Sequence, residues 1–249
     1  MQISLLLFFG GLSFCKAFQG GILVDNERKP VDDKQRQQIQ DYLQAVLQTN
    51  NDINLTTIHD FNDGLVLHIE DSLAGLEEVN SAPDGQLVDL GTGGGFPGAP
   101  LALASSRDVL LVDSTKKKID AIMGIVNELQ IPRVKAYAGR IEELAQEQPG
   151  AFAVATARAL SSLPSLLELA APLLIQGGHL VAYKSDKADE EIERAILLEQ
   201  KLGMKFLSCR DLVLSDGITP RSIIVFEKVA PPTVKLPRRP GMAQKRPYA

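Results

Sequence analysis

Histidine and cysteine are scarce: the 249-residue sequence holds three histidines, His59, His68 and His179, and two cysteines, Cys15 and Cys209. The cysteines lie far apart in no metal-ligand spacing, so neither a disulfide framework nor a zinc site is expected, and a reducing compartment is the default. None of the histidines has a local metal partner or a nucleophile-elbow neighbour, so no metal is expected. His179 opens a strand and reads as packing, and His68 alone reads as a structural hydrogen-bonding group. Long apolar runs are missing too. The run Ile3–Phe14 is too short to cross a bilayer. It lacks a preceding basic residue and a small-x-small cleavage site, and Phe14 stands before Cys15. A cytoplasmic protein without a membrane anchor is expected, its first residues being a packed segment or a misassigned start.

A surplus of positive charge is lacking: 26 basic against 31 acidic residues give a net charge of −5. The distribution says more than the total. Lys235, Arg238, Arg239, Lys245 and Arg246 fall in residues 230–249 with no acid among them, leaving 21 basic residues against 31 acidic ones in the rest. An acidic body ends in a basic, proline-rich tail. Hydrophobic content of 45% and 23% charge describe a globular chain long enough to bury a proper core.

Helical spacing of Ile39, Leu43, Val46 and Leu47 behind Asp32 and Asp33 predicts a helix over 32–48, and a second is expected from about 62 to 79. From Gln86 onward short apolar runs alternate with helical stretches, the signature of a parallel α/β sheet. Strands are expected at 86–90, 108–113, 134–138, 152–156 and 179–184, with helices near 98–105, 115–130, 140–147, 161–174 and 187–202. Residues 205–214 and 221–229 then read as two strands joined by the turn SDGITP, so the last strand runs antiparallel. The expected fold is α/β and Rossmann-like, a seven-stranded, mostly parallel sheet with an antiparallel last strand and a helical N-terminal cap. Its division is 1–31, a segment whose order is left open; 32–82, the cap; 83–229, the ligand-binding core; and 230–249, the tail.

The stretch LVDLGTGGGFPG, residues 87–98, sets five glycines behind an acid-tipped strand. A strand feeding a glycine-rich turn and a helix lets backbone N–H groups meet a ligand at close range. Two registers compete. Gly93-x-Gly95-x-x-Gly98 matches the dinucleotide fingerprint, and Asp89-x-Gly91-x-Gly93-x-Gly95 matches that of S-adenosylmethionine (SAM) enzymes. Asp89 favours the second, since its carboxylate repels a pyrophosphate and tolerates a cationic cofactor. Asp113, ending the second strand, is placed to accept ribose hydroxyls, or else caps the next helix. After the third strand, Ile141 is a candidate cover for an adenine face and Glu142 for its polar edge, or both merely begin a helix.

Also missing is the Asn/Asp-Pro-Pro-aromatic element with which amine methylases end the fourth strand; here Ala157-Arg158-Ala159 stands instead. A strand-tip arginine suits bidentate binding of a guanine edge or phosphate, or is an ordinary surface cation.

Asn54-Leu55-Thr56, His68-x-x-Asp71-Ser72, the glycine loop extended to Phe96-Pro97-Gly98, Gly139-Arg140-x-Glu142-Glu143 and Ala157-Arg158-Ala159 follow in this order. In this the chain resembles the RsmG/GidB family, bacterial methyltransferases that modify N7 of one guanine, the 527 position, in 16S ribosomal RNA. The resemblance covers about residues 32–249, including Leu236–Gly241 of the tail. It implies SAM as cofactor, held by Gly91, Phe96, Ile141, Glu142 and Arg158; the loop and strand-tip reading adds Asp89, Gly93, Gly95 and Asp113 to the expected cofactor site. It also implies Arg158 as the catalytic residue, the small ribosomal subunit as partner, and a monomer. Guanine N7 carries a lone pair and no proton, so methyl transfer to it needs no general base and reduces to positioning. Leu67 stands where members carry Arg or Lys, the usual Trp-Asn before the Asn-Leu-Thr triplet is missing, and the first 24 residues match nothing in the family. The competing readings are a small-molecule SAM methyltransferase, an NAD-dependent oxidoreductase using the other glycine register, and an RNA-binding module without turnover.

Overall fold

A computed structural model describes residues 16–17, 31–185 and 188–248. Its centre is one sheet of eight strands: β1 (Lys16–Ala17), β2 (Leu87–Leu90), β3 (Val109–Asp113), β4 (Val134–Ala138), β5 (Phe152–Arg158), β6 (Leu174–Lys184), β7 (Met204–Val213) and β8 (Pro220–Lys228). Their order is β1-β7-β8-β6-β5-β2-β3-β4. Strands β2 to β6 are mutually parallel, and β8 enters antiparallel between β6 and β7. Crossover helices cover both faces of the parallel part, which is why β2, β3 and β5 read as nearly unbroken apolar runs. The chain therefore has the Rossmann-like α/β fold, its seven principal strands extended at one edge by the two-residue β1, which pairs parallel with β7 at Arg210 and Asp211.

Two apolar cores result. One face packs Leu144, Leu163, Leu166, Leu167 and Ile192 against Val88, Leu90 and Val112 of the sheet. The other packs Tyr42, Leu43, Val46, Leu101 and Ile122 against Leu87, Leu111 and Val154. The N-terminal helix Asp33–Thr49 begins at the cap Asp32, whose carboxylate accepts from the Gln35 N–H while the Gln35 side chain accepts from Asp32 N–H.

Departures from the expected elements have local causes. The helix expected over 62–79 is broken into Phe61–Gly64, a π-helical turn Leu65–Glu70, Asp71–Leu73 and Leu76–Ser81. The break follows at Gly75, where a Cβ would stand 2.3 Å from the Tyr183 hydroxyl. The stretch 187–202 divides into Ala188–Ile196 and Glu199–Leu202. Strand β6 starts five residues early, because Gly177, at φ +80°, and Gly178 carry the chain through an irregularity opposite Phe152–Val154. Cys209 is disulfide-bonded, against the expectation of no disulfide. Sequence separation argues against bridging, yet the described pair Lys16–Ala17 of β1 lies beside Arg210 and Asp211, next to Cys209 on β7. The other cysteine, Cys15, lies outside the described residues. Among the described residues no helix is long and apolar enough to cross a membrane, and no His/Cys/Asp/Glu group could hold a metal.

Candidate active site

The loop after β2 lies at the C-terminal end of the parallel strands, where open α/β sheets present their crevice. Gly95 has φ +87°, and a Cβ there would sit 1.9 Å from the Tyr42 hydroxyl, which donates to Gly94 O at 3.0 Å. The turn thus packs directly against the N-terminal helix. Gly93, at φ +58°, is the opposite case: it is partly exposed, and a Cβ there would meet only Gly91 O, at 4.0 Å. Its bare backbone faces open space. Gly91, also partly exposed, has Leu160 against it.

Asp89 is fully buried beneath this loop. Its Oδ2 accepts from the Thr92 hydroxyl (2.6 Å) and Gly98 N–H (3.0 Å), and its Oδ1 from the Thr156 hydroxyl (2.8 Å). Burial raises its pKa above the ordinary carboxylate value, opposed by these three bonds and by Arg158. Its carboxylate braces the loop from within, rather than projecting into the crevice. Asp113 remains partly exposed at the tip of β3, its Oδ2 accepting from Gly93 N–H (3.2 Å) and its Oδ1 from Thr115 N–H (2.8 Å). It ties the glycine loop to the next helix. The tip of β4 joins them, because Gly139 N–H donates to Asp113 O.

On the other side of the loop a polar network gathers residues from four segments. Arg158, at the end of β5, donates from Nη1 to Leu67 O (2.9 Å) and Asp71 Oδ2 (2.9 Å), and from Nη2 to His68 Nδ1 (3.0 Å). Asp71, 1% exposed, is also gripped by Arg221 of β8 through Nε (2.8 Å) and Nη2 (3.1 Å). Since Nδ1 of His68 accepts from a guanidinium, the ring proton sits on Nε2, which donates to the Thr56 hydroxyl at 2.7 Å. Burial, and then Arg158, lower the His68 pKa from 6.5 to about 4, with Asp71 pulling the other way. His68 stacks face to face on Phe96, ring centroids 4.3 Å apart, and the Arg158 guanidinium lies 5.8 Å from the Phe96 centroid. Ala159, next to Arg158, is held at φ +53°, a strain of about 1–2 kcal/mol for a residue with a Cβ. The network therefore fixes one arginine at the crevice and spends its hydrogen bonds on orientation; among the described residues no acceptor faces the Arg158 Nε.

Ile141 and Glu142 begin the helix Ile141–Glu147 after β4, both buried. The Glu142 carboxylate is already engaged, its Oε1 accepting from Gly241 N–H of the tail at 2.6 Å. The tail folds back onto the body: Arg238 forks onto Glu168, which is 2% exposed, while Lys235, Arg239, Lys245 and Arg246 stay exposed. The structure thus brings Phe96, His68, Asp71 and Arg158 into one network and sets Gly91, Gly93 and Asp113 at the crevice, with Asp89 and Gly95 beneath the loop. Sequence reasoning missed Arg221, Tyr42 and Thr156. Tyr42 shares the apolar stripe of Ile39 and Val46, a readable signal; Arg221 reaches Asp71 across 150 residues and carries none.

The model of the family described as rRNA small subunit methyltransferase G (GidB) matches residues 35–217. A ribosomal RNA small subunit methyltransferase G from Alkaliphilus metalliredigens is 32% identical over 220 residues, covering 87% of this chain and 92% of its own. The protein of that name from Streptococcus gordonii is 36% identical over 222 residues, covering 86% and 92%. Among solved structures, an O-methyltransferase from Bacillus cereus in complex with SAH superposes with TM-score 0.52 at 19% identity, over 75% of this chain and 90% of that one. M. jannaschii TYW2 in complex with AdoMet gives 0.50 at 14%, over 64% and 77%. At those identities the likeness is one of fold.

Proposed function

The chain belongs to the rRNA small subunit methyltransferase G family, and from that premise we propose that it methylates N7 of one guanine in 16S ribosomal RNA, with SAM as methyl donor. The small ribosomal subunit or its RNA is the partner, and the reaction takes place in the cytoplasm. The observation that carries this reading is Arg158, clamped beside the glycine loop by Leu67 O, Asp71 and His68 at the end of β5.

The residues present fit the cofactor. Gly93 offers bare backbone with room for a ligand where a side chain would stand, and each Asp113 oxygen holds one donor, leaving lone pairs for ribose hydroxyls. Ile141 supplies an apolar surface for the purine one helix away. When bound, SAM supplies an electrophilic methyl group on a cationic sulfur. Asp89 contributes by holding the loop, its charge matched inside the fold by three donors. Arg158 is the catalytic residue of the proposal. Leu67 O, Asp71 and His68 fix its fork, and its remaining N–H groups meet the O6 edge of guanine and so orient N7. The neutral His68 accepts from that guanidinium and removes no proton. Because N7 has a lone pair, positioning alone can supply several kcal/mol of the barrier reduction.

The exposed tail cations Lys235, Arg239, Lys245 and Arg246 serve as phosphate contacts, while Arg238 is committed to Glu168. Single-turnover transfer of labelled methyl to 30S particles from a strain lacking the gene tests the proposal. Label in one guanine, lost about 100-fold with Arg158→Ala, supports it. Label only in a small molecule, or undiminished transfer by Arg158→Ala, overturns it. Replacing the four exposed cations with Gln lowers the salt slope of RNA binding by roughly 3 if all four touch phosphate.

A further inference from the structure

We infer that the C-terminal tail is a strap that holds the adenosine side of the crevice in shape, with Glu142 as the positioning residue that fastens it. This rests on the cofactor reading above and extends it to residues that reading leaves with phosphate contacts alone.

The strap is anchored on two buried carboxylates. Gly241 donates its N–H to Glu142, 6% exposed, in the first turn of the helix Ile141–Glu147. Gly241 turns the chain there with φ +79°, and a Cβ on it would lie 3.8 Å from the Arg140 guanidinium, so the tail lies against the entry to that helix. Arg238 meets both oxygens of Glu168, on the helix Leu163–Ala170 after β5, and also donates to Arg246 O at 2.7 Å. The Tyr248 ring lies 4.1 Å from the Arg238 guanidinium carbon. Between the anchors, Ala243 is 2% exposed within the same core as Ile141, Leu144 and Leu163. The tail thus bridges the helices that follow β4 and β5, the two strands whose tips carry Gly139 and Arg158.

The helix start is the part of this bridge that reaches the cofactor site. Gly139 N–H is bonded to Asp113 O, and Ile141 follows two residues later. Release of the tail takes from the Glu142 carboxylate the backbone donor that fixes it and uncovers the apolar face that Ala243 fills beside Ile141 and Leu144. The first turn then loosens where Ile141 and Asp113 must hold a nucleoside. Glu142 acts through the tail, as an acceptor for a backbone N–H. It does not need its charge on the cofactor.

Two measurements on the same proteins test this: calorimetric titration with S-adenosylhomocysteine, and amide hydrogen exchange of residues 139–147 without ligand. The proteins are the intact chain, the chain ending at Lys235, Glu142→Leu, Glu142→Gln and, as a milder release of the strap, Gly241→Ala. Truncation and Glu142→Leu are expected to speed exchange and weaken binding about ten-fold or more, Gly241→Ala to weaken it by less. Glu142→Gln keeps an acceptor oxygen and stays within about three-fold of the intact chain. Faster exchange with unchanged affinity overturns the inference alone, as does a Glu142→Gln loss equal to that of Glu142→Leu, which would make Glu142 a direct contact. No heat from the intact chain sinks the cofactor reading, and the strap with it.

Discussion

Acidification should destabilise this fold in good part through the ring of His68. His68 is 7% exposed, wedged between Thr56 and Arg158 and stacked on Phe96, and its pKa drops from 6.5 to about 4 on folding. The unfolded chain therefore binds a proton between those values that the folded chain refuses. Stability from the neutral ring is whole above pH 6.5 and is lost progressively as pH falls toward 4. A shift of that size corresponds to roughly 3 kcal/mol in total, of which about 2 kcal/mol is gone by pH 5. The assay is urea unfolding of the protein and of His68→Gln at several pH values from 7.5 to 5. Other titrating groups contribute to both curves, so the readout is their difference. The stability advantage of the histidine protein is expected to shrink by about 2 kcal/mol across that range. A difference that stays constant with pH would refute the buried neutral ring, and with it the acceptor role of His68 toward Arg158.

Two glycines of one loop should fail differently. Gly95→Ala drives a methyl group into the Tyr42 hydroxyl on top of left-handed strain and is expected to cost about 3 kcal/mol or more in thermal unfolding. Gly93→Ala, with open space around it, costs only the strain of about 1–2 kcal/mol but weakens S-adenosylhomocysteine binding roughly ten-fold in a titration. Thr156→Val removes one of the three donors to the buried Asp89; a loss of about 2 kcal/mol, or roughly 5 °C in Tm, is expected by calorimetry. An unchanged Tm would mean that Asp89 does not depend on that hydroxyl.

The sheet was legible because its strands carry unbroken apolar runs between helical stretches, and the terminal hairpin because SDGITP leaves room for nothing longer than a turn. Glycine hid the first half of β6, where Gly177 and Gly178 carry the chain without an apolar pattern. The break in the second helix was hidden for a different reason: Gly75 is required by Tyr183, a residue more than a hundred positions away. At the site, Phe96, His68, Asp71 and Arg158 could be named from ordered motifs, since each belongs to a recognisable local string. Their geometry could not. The sequence puts Asp89 at a strand tip beside the ligand loop, and only the arrangement of Thr92, Gly98 and Thr156 around it shows where the carboxylate points. The tail looked like a free basic strip because composition records charge and not its partner. Arg238 finds that partner in Glu168, 70 residues back.

The most direct test is mass mapping of methylated guanines in ribosomal RNA from cells with the gene, without it, and carrying Arg158→Ala in its place. One N7-methylguanine of the small-subunit RNA should vanish with the gene, return with the intact chain, and stay absent with Arg158→Ala. An unchanged methylation map in cells without the gene would contradict the account.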